Sequence, residues 1–123
     1  MTSAKPAADT DDQLTLAVRS EPNGCRVVAV GGEVDMLTSP RLRSIVLSEL
    51  RPGVAVLVLD MEGITFLGTS GLAVLIELRE ACRSASVDLR LVCTTRRVVR
   101  PLTIAGLVPL FDIYPSQDTA LAA

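Results

Sequence analysis

Thr69 and Ser70 stand side by side between Gly68 and Gly71, where the apolar run ending at Leu67 gives way to the helical spacing of Leu72, Leu75 and Ile76. Two hydroxyls at a helix start can do several kinds of work. One can cap the helix by accepting a hydrogen bond from an unpaired N–H of the first turn. One can serve as a catalytic nucleophile, or the pair can belong to a phosphate-binding loop. A hydroxyl can also carry a phosphate itself: the helix dipole and the free N–H groups tolerate it, while about −1.5 to −2 units of charge are added to the surface.

The hydrolase reading fails on residue types. A nucleophile elbow is G-x-S-x-G, yet the residue two beyond Ser70 is Leu72, and the chain has no histidine to activate a serine. A phosphate-binding loop of the G-x-x-x-x-G-K-[ST] kind needs a lysine, and the single lysine, Lys5, is far away in sequence. No G-x-G-x-x-G follows the first strand, so no cofactor is expected, although looser nucleotide binding stays open. Capping and a phosphorylation switch are left.

Other residues that could do chemistry are fewer. Glu33, Asp35, Asp60 and Glu62 read as loop carboxylates near strand ends, able in principle to hold Mg²⁺ but with no pairing that compels it. Arg96, Arg97 and Arg100 read as the wet face of a helix, with contact to a partner as the alternative. Cys25, Cys82 and Cys93 lack C-x-x-C spacing and, with no histidine, make no zinc site; no metal is expected. They read as small buried thiols, with a Cys82–Cys93 redox pair as the sharper option.

Composition narrows the class. At 123 residues the chain is long enough for one domain with its own core, and with 49% hydrophobic but only 2% aromatic residues that core is aliphatic. A net charge of −2 argues against nucleic acid as partner. The apolar runs VAVLVL and GLAVLI are far below the roughly 20 residues of a membrane helix. The N-terminus shows no apolar signal segment, so a cytoplasmic address is expected.

The elements that position Thr69 and Ser70 follow from periodicity. Residues 1–12 read as a flexible leader and 13–123 as one domain. LTLAVRS and CRVVAVGG alternate like strands of a hairpin around EPNG. A helix is expected from Ser39 as N-cap with Pro40 at N1, ending near Pro52-Gly53. VAVLVLD reads as a central strand, MEGITFLG as what connects it to the second helix, and VDLRLVC as another strand. TTRRVVRPLTIAGL reads as a third helix, interrupted or kinked at Pro101 and closed by Gly106; a short strand PLFDIY and a tail helix or turn follow. The order is ββαβαβαβ(α), an α/β fold with parallel later strands.

Three linked segments, GEVDMLTSPRL, VLVLDMEGITFLGTSGLAVLIELRE and TTRRVVRPLTIAGLVPLFDIYPSQDTAL, resemble the STAS domain family, of the bacterial anti-sigma-factor antagonist type. The likeness covers nearly all of the chain after residue 12. Its most specific part is the family's D-(L/M)-x-x-(V/I/L)-x-(F/Y)-(L/M/I)-D-S-(S/T)-G-(L/I), which Asp60, Met61, Ile64, Phe66, Leu67, Ser70, Gly71 and Leu72 match and Thr69 matches as a hydroxyl variant. Gly68 departs from it, standing where the family usually has Asp.

The resemblance implies a mixed sheet of four or five strands with helices packed on it, no catalysis, and regulation by protein contact. It implies a partner, an anti-sigma factor that is also an ATP-dependent serine/threonine kinase, together with a cognate phosphatase, and a monomer or weak dimer. Capture of the anti-sigma factor would release its sigma factor. Phosphorylation of the first hydroxyl of the motif, Thr69 by position with Ser70 second, would end the capture. Glu33 and Asp35, in the family's G-E-x-D element, would line the same face as Gly68, Thr69, Ser70, Gly71 and Leu72. The missing acid at Gly68 bears on kinase recognition more than on binding. The alternative is a non-phosphorylated STAS module in a larger signalling assembly, tuned through Cys82 and Cys93.

Overall fold

The structure, a computed structural model, describes residues 13–123 and the backbone of a short strand at 8–10. Its strands are β1 (Ala8–Thr10), β2 (Leu14–Glu21), β3 (Cys25–Val34), β4 (Val56–Leu67), β5 (Asp88–Val92) and β6 (Asp112–Tyr114). Its helices are α1 (Ser39–Ser48), α2 (Thr69–Ser84), α3 (Arg96–Ile104) and α4 (Gln117–Ala122). The strands lie in one sheet in chain order, antiparallel from β1 to β3 and parallel from β3 to β6.

The hairpin forms where expected. Asn23 (φ 65°) and Gly24 (φ 75°) turn the chain, and the carbonyl of Gly24 accepts from the N–H of Ala55 at 2.8 Å, which starts β4 beside β3. From there each parallel step needs a crossover, and every step moves the same way across the sheet. Right-handed crossovers therefore put α1, α2 and α3 on one face. Leu42 and Val46, Leu75 and Leu78, and Val98 and Leu102 bury against Leu57, Leu59, Met61 and Leu91 there. The short α4 covers part of the other face, with Ala120 over Val27, Val58 and Val92.

Several details differ from the reading of the sequence. The segment PLFDIY is not all strand: Val108–Leu110 forms a 3-10 turn and the strand begins at Asp112, while α1 ends at Ser48, ahead of Pro52-Gly53. The four or five expected strands are joined by a sixth at the edge: β1, inside the segment read as leader, pairs with Thr15–Ala17 and satisfies backbone groups that β2 would otherwise leave open. The rest of that leader lies outside the described residues. The central strand does not stop at Asp60 but runs to Leu67, with register shifts against β3 between Ala29 and Gly31 and between Gly32 and Glu33. Asp60, Glu62 and Glu33 are therefore strand residues rather than loop carboxylates.

At the α1 start Ser39 is buried inside the first turn and Thr38 takes the N-cap position. Asp35 makes the turn instead: its Oδ1 accepts from the N–H groups of Leu37 and Thr38 at 2.9 and 3.0 Å. The third helix also passes through Pro101 unbroken, because the carbonyl that loses its donor there, four residues earlier, belongs to exposed Arg97. The chain then turns at Gly106 (φ 73°), as expected.

Candidate functional site

The site forms at the C-terminal ends of β3 and β4. Val34 and Leu67 are paired in register, and the N–H of Gly68 donates to the carbonyl of Val34 at 2.9 Å, fixing where α2 begins. Gly68 is the N-cap, in extended backbone (φ −89°, ψ 178°), and its carbonyl accepts from Gly71 and Leu72 at 3.0 and 3.1 Å. The capping role expected of Thr69 or Ser70 thus falls to a residue without a side chain. Both hydroxyls sit inside the first turn, where the geometry gives them no cap hydrogen bond.

Gly71 lets this turn close. A Cβ there would lie 2.6 Å from Val34 Cγ1 and 2.7 Å from Leu67 Cδ1, so the helix presses its backbone directly onto the strand ends. Thr69 is consequently exposed and Ser70 half-buried. The amides of Thr69 and Ser70, at the first two helical positions, cannot bond within the helix and point toward whatever occupies the N-terminus.

Leu67, Thr69 and Leu72 face Arg100, Pro101, Ile104 and Ala105 of the α3 end across a groove of about 380 Å³. Its walls are mostly apolar. Around the same strand ends lie side chains that sequence reasoning did not single out, Met36 and Leu37 (77% and 78% exposed) and Ile104 (74%), together with Phe66 of the motif, 53% exposed. The Phe66 ring stands beside Gly68, whose Cβ, if present, would be 3.1 Å from its edge. Exposed apolar side chains gathered at one end of a sheet are a feature of protein, ligand or membrane contact sites. A signal existed: Met36-Leu37 is an apolar pair between a strand end and a helix start, where neither element can bury it.

Of the predicted partner-facing residues, Gly68, Thr69, Ser70, Gly71 and Leu72 come together here. Glu33 is exposed at the end of β3, in register with Phe66. Asp35 is different: besides the two amides it takes, Thr38 Oγ1 lies 3.2 Å from its Oδ1 and accepts from the Asp35 N–H at 2.9 Å. Its carboxylate holds the β3–α1 connection, and so shapes the loop that displays Met36 and Leu37.

The remaining carboxylates are tied into structure. Glu62 accepts from the backbone N–H of Thr94 and from Thr94 Oγ1, the latter at 2.7 Å, joining β4 to the β5–α3 loop. Asp60 accepts from Gln117 Nε2 at 2.6 Å and from the N–H of Glu62 at 2.9 Å, joining β4 to α4. Among the described residues no cluster of acids, cysteines or histidines could hold a metal.

Cys25, Cys82 and Cys93 are free thiols. Burial, with Asp88 adding to it, pushes Cys82 up to about 11; burial, then Glu62 and Asp60, pushes Cys93 up to about 11. Cys82 lies in the last turn of α2, its carbonyl accepting from the N–H of Val87 just ahead of the β5 start, and Cys93 follows the β5 end. Five strand residues separate the two ends, roughly 16 Å at 3.3 Å per residue, well beyond disulfide reach. The redox pair is therefore not what this geometry supports.

The structure is thus a mixed sheet with three helices on one face and a Thr-Ser turn opening the central helix beside an apolar groove. The chain belongs to the STAS domain family, whose model matches residues 17–120. It is similar to Rv2638 of Mycobacterium tuberculosis, whose name carries a provisional anti-anti-sigma factor assignment, with 33% identity over 90% of this chain and 77% of that protein. It is similar to the anti-sigma-F factor antagonist RsfB of the same species, at 29% identity over 89% of this chain and 88% of RsfB. Among solved structures, an anti-sigma factor antagonist from Mycobacterium paratuberculosis superposes with a TM-score of 0.82 at 31% identity, covering 92% of this chain and 95% of that one. No helix among the described residues is long and apolar enough to cross a membrane.

Proposed function

We propose that this protein is an anti-sigma factor antagonist: it binds an anti-sigma factor that is also a serine/threonine kinase, releases the sigma factor held by it, and is switched off by phosphorylation at Thr69. The observation that carries the reading is the placement of Thr69, an exposed hydroxyl at the first position of α2 on the rim of an apolar groove. The names of the relatives support the partner class.

The chain's own residues account for both states. Unmodified, the groove and the exposed Met36, Leu37, Phe66 and Ile104 offer apolar area to the partner, with Thr69 small and uncharged at the groove's rim. In the switching step the Oγ1 of Thr69 bonds to the γ-phosphorus of ATP, the bond from that phosphorus to the β,γ-bridging oxygen breaks, ADP leaves, and the hydroxyl proton passes to a base of the kinase. The phosphate then faces the unpaired amides of the first turn, which stabilise it, and places a hydrated dianion in the contact surface. A phosphatase reverses the step by hydrolysis.

Labelling tests the assignment. With ATP and the anti-sigma kinase of the same organism, wild type and Ser70→Ala take up phosphate and Thr69→Ala does not. Full labelling of Thr69→Ala with none on Ser70→Ala moves the switch to Ser70, and no labelling of any form removes it.

A further inference from the structure

The groove beside Thr69 holds one charged side chain. Leu67 and Leu72 form one wall, Pro101 and Ile104 the other, and Arg100 lines it with them. Arg100 is exposed and has no hydrogen-bond or ion-pair partner among the described residues. Of its α3 neighbours, Arg96 lines only the groove on the far side of the Arg100–Ile104 ridge, with Thr94 and Val99, and Arg97 lines neither. The acids at this end of the sheet stay outside as well: Glu33 is turned to solvent at the end of β3, and Glu62 is held by Thr94. The sign of the charge in the groove is set by Arg100 alone.

We propose that Arg100 is the internal acceptor for a phosphate on Thr69, the guanidinium swinging across the groove so that the pair covers the apolar walls a partner would enter. This rests on the reading of Thr69 as the phosphorylated residue. A guanidinium binds phosphate oxygens through two parallel N–H donors, a geometry that an ammonium cannot copy. Arg100 gives up no existing partner to do so, and the apolar walls leave the pair less screened than one in open water. The switch is then more than added repulsion. Phosphorylation withdraws a cation from the contact surface and closes the groove in one event, with the amides of Thr69 and Ser70 holding the phosphate from the other side.

The test needs no kinase. Protein carrying phosphothreonine at position 69, installed during synthesis, is titrated by phosphorus NMR in the wild-type, Arg100→Gln, Arg100→Lys and Arg96→Gln backgrounds, with circular dichroism confirming the fold of each. The second ionisation of the phosphate should lie lower in wild type than in Arg100→Gln by about half a pH unit or more, since a cation in contact favours the dianion. Arg96→Gln should match wild type, and Arg100→Lys should fall between. Equal values in wild type and Arg100→Gln overturn the proposal, and so does an equal rise in Arg96→Gln, which would show a diffuse field in place of a pair. Because the phosphate is installed chemically, such a failure leaves the kinase labelling of Thr69 untouched. Absence of labelling leaves a measured Arg100 pairing standing.

Discussion

A side-chain carbon at Gly71 would lie 2.6 Å from Val34 Cγ1, so the first turn of α2 and the end of β3 touch backbone to side chain with no room between them. That contact sets the height of Thr69 above the sheet. Gly71→Ala should destabilise the protein by roughly 1–3 kcal/mol through overpacking, measured by urea denaturation. Val34→Ala in the same chain should return part of that loss, and failure of the double variant to do so would place the strain elsewhere.

Gly68 tolerates what it lacks. Its backbone is extended, where any residue fits, and the nearest obstacle to a Cβ is the edge of the half-exposed Phe66 ring, which can move. Gly68→Asp should leave the fold intact and raise stability slightly, because the carboxylate can cap α2 and face its positive end. Denaturation midpoints check the first effect. Under the proposed switch the added acid should also speed phosphate uptake on the neighbouring Thr69, which kinase labelling checks.

Asp35 holds the loop that displays Met36 and Leu37. Asp35→Ala leaves the amides of Leu37 and Thr38 without their acceptor and should cost about 1–2 kcal/mol. Affinity for the partner should fall as well, because the two exposed apolar side chains lose their fixed presentation. Calorimetry on a correctly folded sample separates that loss from simple instability.

Burial of Cys82 and Cys93 has a pH consequence. Their folded-state pKa values, about 11, lie above the value of 9.0 for an unperturbed thiol, so the folded protein binds these protons more tightly than the unfolded chain. This contribution is fully present below pH 9 and is lost as pH rises from about 9 to 11, so stability should decline across that window. Cys82→Ala and Cys93→Ala should each flatten the decline. In the native protein at neutral pH, half-buried Cys25 should react with a thiol reagent before either of the others, and intact mass should show no two-hydrogen loss under mild oxidation.

The sequence was legible where one periodicity ran unbroken. The helical spacing after Leu72 located α2, although its buried face is Val74, Leu75, Leu78 and Cys82 and Ile76 is 43% exposed, and the alternation in β2 and β3 located the hairpin. It misled where neighbours decide. Asp60 and Glu62 read as loop acids because the alternation of β4 slips between Met61 and Ile64, which both face the same core. Ser39 read as a cap because the acceptor in use, Asp35, acts from farther upstream. Thr69 and Ser70 read as caps because no pattern in the chain shows that Gly68 already occupies that position. The motif drew attention to Thr69 and Ser70, but the groove joins Thr69 to Arg100 through packing of α2 and α3 ends that no local spacing encodes.

The central claim is tested most directly by affinity capture from a lysate of the parent organism, with wild type and Thr69→Glu as parallel baits read by mass spectrometry. The account predicts that wild type retains an anti-sigma factor of the ATPase kinase type and that Thr69→Glu loses it. Equal retention by both baits would contradict the switch at Thr69, and retention of no such kinase by either would contradict the antagonist function itself.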